Sequence, residues 1–229
     1  MATEQETLRR DVPQFVIFNR HSSILLLGPT GAGKTPLGDL LEKRGLWGKR
    51  CHHFDFGANL RHIAGSGDEV SGLTAADREV IGRVLRTGAL LENAEFHIAG
   101  KILRAFIETR NVRDDDLIVL NGLPRHVDQA GDLDAWIRVG VVAVLACTSA
   151  CVRDRIALDS GGDRAGRQDD SPEEVERKLK LFHERTLPLL EHYRRQDAKV
   201  CEVEVDVGTT PESIWRVLNR WPIERSEKE

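Results

Sequence analysis

Gly28-Pro29-Thr30-Gly31-Ala32-Gly33-Lys34-Thr35 fits the pattern G-x-x-x-x-G-K-[ST], and its flanks give that pattern mechanical meaning. The preceding Ile24-Leu25-Leu26-Leu27 is an apolar run short enough for a buried strand. Leu37, Leu40 and Leu41, which follow, recur at helical spacing. Strand, glycine loop and helix together make a phosphate cradle. The glycines let the backbone coil tightly and aim its N–H groups inward. The helix start adds partial positive charge, and the Lys34 ammonium reaches for the terminal phosphates. The plainer alternative, a Gly-rich turn beside a stray Lys-Thr, does not account for the flanks.

Outward from this loop the chain alternates strands and helices. Arg50 to Phe54 reads as a second strand ending in Asp55-Phe56-Gly57. His52 and His53, adjacent on that strand, point to opposite faces and so do not share a metal. Thr74–Leu85 and residues 92–110 carry helical periodicity, and Asp114-Asp115-Asp116 is expected as a solvated turn. Leu117-Ile118-Val119-Leu120 is a run of the buried parallel-strand type, and it empties into Asn121-Gly122-Leu123-Pro124-Arg125. A helix is expected through Trp136-Ile137, a strand over Val141–Cys147 and a short helix over Cys151–Ile156. Ser171-Pro172-Glu173-Glu174 opens a long helix, with Ser as cap and Pro at the first position, which Pro188 should bend. Val203 and Val205 belong to a last strand, and residues 211–220 to a closing helix. The pattern predicts an α/β fold: a three-layer αβα arrangement of the P-loop NTPase type around a mainly parallel sheet. In such a sheet ligands gather at the strand carboxyl ends, where Gly28–Thr35, Asp55–Arg61, Asn121–Arg125 and Gly208–Pro211 all fall.

The 229 residues suit one domain with inserted lobes, and a net charge of −4 argues against a general polyanion binder such as a nucleic-acid protein. Most of the positive charge is arginine, which suits phosphate gripping. Cys51, Cys147, Cys151 and Cys201 show neither a C-x-x-C pair nor metal-ligand spacing, so free thiols in a reducing cytoplasm are expected. Met1 to Arg10 lacks an apolar signal core, and no run approaches membrane-spanning length. Residues 1–20 read as an extension, with Phe15–Phe18 offering an extra edge strand, ahead of a domain spanning 21–229.

With these residues in place the chain resembles the adenylate kinase family of nucleoside monophosphate kinases, over about residues 23–220. Gly28 to Lys34 is similar to the family's G-P-P-G-A-G-K. Phe56-Gly57-Ala58-Asn59-Leu60-Arg61 resembles T-G-D-x-L-R, whose arginine grips the monophosphate. Gly88-Ala89-Leu90-Leu91 resembles the G-x-L-V turn whose backbone contacts the base, and Asn121 to Arg125 resembles D-G-F-P-R. Gln129 falls on the adenine-reading glutamine, Arg155 on the arginine before the lid, and Arg167-Gln168-Asp169-Asp170 on the R-x-D-D that closes it. Gly208-Thr209-Thr210-Pro211 resembles the late loop beside the ATP adenine.

The resemblance implies transfer of a phosphoryl group from ATP to a nucleoside monophosphate, AMP first, with Mg²⁺ as cofactor. Lys34, Arg125, Arg155 and Arg167 would be the catalytic cations. It implies an ATP site of Gly28, Gly31, Ala32, Gly33, Lys34, Thr35, Arg155 and Thr210. The monophosphate site would comprise Phe56, Arg61, Leu90, Gly122, Arg125, Gln129, Arg167 and Lys178. Mg²⁺ would be handled, through water, by Thr35 and Asn121. A helical monophosphate lobe over about 55–87 and a short lid over about 157–166 would close on the nucleotides, in a monomer without nucleic-acid or membrane partners.

Several positions depart from the family pattern. Pro36 replaces a phosphate-contacting threonine, and Phe56 a threonine that contacts the monophosphate. Asn121 stands where an aspartate organises water around Mg²⁺, so Asn121→Asp is expected to leave activity equal or improved. Asp159 stands at the first lid arginine, with Arg164 as a replacement nearby, and Lys178 beside Arg177 at the second. Two other readings therefore stay open. One is a P-loop kinase of a small-molecule hydroxyl using Asp55, whose plainer role is to cap the helix after it; the other is a nucleotide-binding module with weak or no catalysis.

Overall fold

A computed structural model of the chain describes residues 21–66, 72–163 and 170–222. Five strands form one sheet in the order β2-β3-β1-β4-β5: β1 His21–Leu27, β2 Cys51–Asp55, β3 Leu117–Asn121, β4 Ile137–Ala146 and β5 Lys199–Glu204. Every neighbouring pair is parallel. Side-chain alternation sorts the strands onto two faces. Ile24, Leu26, Val119, Ala143 and Val203 pack on one face with Leu37 and Leu41 of α1 (Lys34–Arg44) and Ile214 and Leu218 of α9 (Pro211–Arg220). Leu25, Leu27, Phe54, Leu120 and Val142 pack on the other. They meet α4 (Phe96–Thr109), α5 (Val127–Leu133) and α8 (Leu189–Arg194), and Leu60 and Ile81 of α2 (Phe56–Ser66) and α3 (Ala75–Thr87) join the same core. The remaining helices are α6 (Ser149–Ala157) and α7 (Pro172–Leu181). The three-layer αβα fold expected from the sequence is the fold observed.

Capping chemistry holds as read. Ser171 Oγ accepts from Glu174 N at 3.2 Å and Pro172 opens α7. A π-helical turn over Phe182–Thr186 and Pro188 separate α7 from α8. Two expectations need correction. The helix expected through Trp136-Ile137 stops at Leu133. Ile137 is wholly buried and pairs with His21, because β4 must run the whole length of β1. The acidic run 114–116 is not wholly solvated: Asp116 is buried and bonded to His52 Nε2 at 2.8 Å, a pairing that periodicity does not reveal. The four cysteines are free, and burial pushes the Cys51 thiol up to about 12, which makes it a packing residue. Among the described residues no helix is long and apolar enough to cross a membrane. Residues 1–20, with the proposed edge strand, lie outside the described residues.

Candidate active site

The carboxyl ends of β1, β2 and β3 open into a cavity of about 260 Å³. Its floor is the loop from Gly28 to Gly33. Gly31 (φ 77°) and Gly33 (φ 93°) take left-handed backbone conformations, which L side chains adopt only under strain, and this coils the loop ahead of α1. Lys34 Nζ folds back over the loop and donates to the carbonyls of Gly28 and Pro29, both at 2.7 Å, so the ammonium sits over the cradle it was expected to serve. Ala32 is buried beneath, packed with the α1–α9 face of the core.

Thr35, Asp55 and Asn121 meet at the ends of three elements. Thr35 Oγ1 donates to Asp55 Oδ2 at 2.7 Å, and Asn121 Nδ2 donates to Thr35 Oγ1 at 3.1 Å and to Asp55 Oδ2 at 2.9 Å. Asp55 Oδ1 also accepts from Ala58 N at 2.8 Å, so the carboxylate does cap the start of α2, but with only one of its oxygens. The hydroxyl and the carboxylate are hard oxygen donors that fit Mg²⁺ held partly through water beside phosphates, and the Asn121 N–H groups orient both of them. The sequence placed Thr35 and Asn121 here and left Asp55 out of the metal set. The signal for it was its position at the last residue of β2, level with Asn121 in β3. This geometry also changes the expectation for Asn121→Asp, which would put a second carboxylate within reach of Asp55 and raise repulsion.

Around the cavity stand Arg61, Arg125 and Lys178, with Leu90 and Gly122 between them. Among the described residues neither the Arg61 nor the Arg125 guanidinium has a hydrogen-bond partner. Burial pulls Arg125 below its ordinary pKa while Asp55 pulls it back up, an imbalance that an anionic ligand would relieve. The Arg125 main chain is fixed instead: its N–H donates to Gln129 Oε1 at 2.8 Å and its carbonyl accepts from Thr186 Oγ1 at 2.8 Å. Lys178 Nζ lies 3.9 Å from Asp170.

Besides Ala32, four expected site residues do not line this cavity. Phe56 is 6% exposed and turned into the core, its ring 6.1 Å from that of Phe54, because an aromatic beside a polar cavity is better buried. Gln129 is fully buried, its amide occupied by Arg125 N and, at 2.8 Å, Leu91 O. Arg155 packs behind the glycine loop and donates to the carbonyls of Gly31 (3.0 Å), Asp206 (2.6 Å), Val207 (3.3 Å) and Thr209 (3.0 Å). A buried guanidinium must satisfy its donors, and here backbone oxygens do so. Thr210 caps α9, accepting from Ser213 N at 3.2 Å. Arg164 and Arg167 lie outside the described residues.

Comparison with known proteins finds no family model that matches the chain. It does find curated relatives named adenylate kinase. The one from Stenotrophomonas maltophilia is 30% identical over 204 residues, covering 85% of this chain and 96% of the relative. One from a Mycobacterium species is 31% identical over the same coverage, and one from Haloarcula marismortui is 25% identical over 218 residues, 84% and 92% of the two chains.

Proposed function

The chain belongs to the adenylate kinase family and is a nucleoside monophosphate kinase, and on that premise we propose that it transfers the terminal phosphoryl group of Mg²⁺–ATP to AMP. The observation that carries this reading is the meeting of two sets of cations in one cavity: Lys34 over the glycine loop, and Arg61, Arg125 and Lys178 across from it. Two polyphosphates repel each other, so a site that joins them must gather positive charge from several directions. Arginine's planar fork suits the task. In this reading the loop amides and Lys34 hold the ATP phosphates, Thr35 and Asn121 serve Mg²⁺, and Arg61 and Arg125 hold the monophosphate. Gln129 sets the spacing between Arg125 and the Leu90–Leu91 turn that would face the base. The segment over about 55–87 and a lid over about 157–166 would close on both nucleotides and exclude water, Arg167 arriving with the lid. Soluble nucleotides in the cytoplasm, met by a monomer, complete the proposal. Family membership favours this reading over a hydroxyl acceptor and over nucleotide binding without transfer.

The test is a coupled assay with Mg²⁺–ATP against AMP, CMP, UMP and GMP. ADP formation fastest with AMP is the expected result. Preference for another monophosphate would overturn the acceptor, and no transfer to any of them would overturn the activity.

A further inference from the structure

Two acids that the family motifs carry are missing from this end of the sheet: Asn121 stands for the aspartate of D-G-F-P-R and Ala58 for that of T-G-D-x-L-R. An amide orders water but brings no charge to a divalent cation. We propose that Asp55, at the end of β2, has taken over the missing negative charge and serves the cation of Mg²⁺–ATP through the Thr35 hydroxyl and water. This rests on the reading that the cavity binds Mg²⁺–nucleotide.

The hydrogen bonds show how the hydroxyl is set. It has one proton and two lone pairs. Asp55 Oδ2 takes the proton at 2.7 Å and Asn121 Nδ2 occupies one lone pair at 3.1 Å, which leaves one oxygen lone pair for a cation. Asn121 is itself oriented from behind. His53 Nδ1 lies 2.9 Å from Asp39 Oδ1, so that nitrogen carries the proton, and Nε2 at 3.3 Å accepts from Asn121 Nδ2. With one amide N–H given to His53, the other is shared between Asp55 Oδ2 and Thr35 Oγ1, 2.9 and 3.1 Å away. The position of His53 is fixed in turn by Gly38, where an added Cβ would come within 2.2 Å of the ring. Asp39, His53, Asn121, Asp55 and Thr35 thus form one chain of contacts from the surface of α1 to the phosphate loop. Two cations face Asp55: the Arg61 fork and Asp55 Oδ1 both lie over Gly57, and Arg125 interacts with the carboxylate electrostatically.

The experiment is calorimetric titration of wild type and Asp55→Asn with a non-hydrolysable ATP analogue, in Mg²⁺ and again in EDTA. Asparagine keeps the size of the side chain and an oxygen that can still cap α2. With Mg²⁺ the variant should bind about ten- to a hundred-fold more weakly than wild type. In EDTA it should bind equally well or more tightly, because a carboxylate opposed to the triphosphate has gone. Moving the charge across, in the double variant Asp55→Asn with Asn121→Asp, should recover much of the lost Mg²⁺ enhancement. Parallel weakening in both buffers would reduce Asp55 to a helix cap and overturn the proposal. So would unchanged binding in both with loss of transfer, the signature of a base acting on the acceptor. A folded double variant that recovers nothing would overturn it too. If wild type bound the analogue in neither buffer, the kinase reading itself would fall, an outcome distinct from the others.

Discussion

On the β3 side of the cleft, Arg61 and Arg125 present guanidinium groups to the cavity without a hydrogen-bond partner among the described residues. On the β4 side, Arg155 is 3% exposed and binds four carbonyls, those of Gly31 and of the 206–209 loop. One side keeps its charges available, Arg61 exposed to solvent and Arg125 at the cost of partial burial. The other uses charge to fasten two loops together, so that the glycine loop is held in its coiled shape before a nucleotide arrives. On the proposed function, the side that would take the acceptor reads its ligand with side chains, and the side that would take ATP reads it mostly with backbone braced from behind. Preorganised dipoles of this kind are effective because nothing need reorient during the reaction.

Substitution should separate the two arginines cleanly. Arg125→Ala should lower kcat about 10²- to 10³-fold, with the melting temperature unchanged or raised, since a half-buried charge that Asp55 only partly offsets is removed. Arg155→Ala should do the reverse, lowering stability by about 3 kcal/mol in urea unfolding because several carbonyls lose a charged donor. A stable Arg155→Ala protein with collapsed kcat would erase the distinction. Gly38→Ala presses on His53 and should lower stability by about 1–3 kcal/mol, while also weakening Mg²⁺-dependent binding if the contact chain behind Asn121 matters.

Asp77 offers a third, smaller contrast, an ion cluster away from the cleft. Burial pushes its carboxyl up, but Thr74 N (2.9 Å), Lys101 Nζ (2.9 Å) and His97 Nε2 (2.8 Å) win and hold it well below the usual carboxylate range. A depressed folded pKa means stability that is present above the unfolded value of about 4 and lost as pH falls toward the folded one. Asp77→Asn should therefore cost about 1–2 kcal/mol at pH 7 in urea unfolding, a difference that shrinks below about pH 4, and should leave kcat alone.

The sequence was most legible where local geometry and function coincide. Gly31 and Gly33 can be read because a phosphate loop needs backbone that only glycine adopts freely, and β1 and β3 because two-sided burial leaves unbroken apolar runs. Arg125 could be read because it follows a buried strand and a tight turn. What could not be read depends on partners distant in the chain. Nothing near Arg155 announces the carbonyls 51 to 54 residues on, and nothing near Phe56 says that its ring turns inward. Asp55 looked like a helix cap or a carboxylate aligning an acceptor hydroxyl because both need only its neighbours; Thr35 and Asn121 reach it from 20 and 66 residues away. Trp136 illustrates the same limit: its ring fills the space over Gly100 of α4, a tertiary contact that helps end the helical reading at Leu133.

The central claim is that a single cleft brings two nucleotide phosphate chains end to end. The most direct measurement is calorimetric binding of a dinucleotide in which two adenosines are joined through five phosphates, with Mg²⁺ present. One molecule should bind per chain, excluding both ATP and AMP, and Lys34→Ala and Arg125→Ala should each weaken it by more than about tenfold. Binding of two molecules per chain, or displacement of ATP alone with Arg125→Ala without effect, would contradict the account.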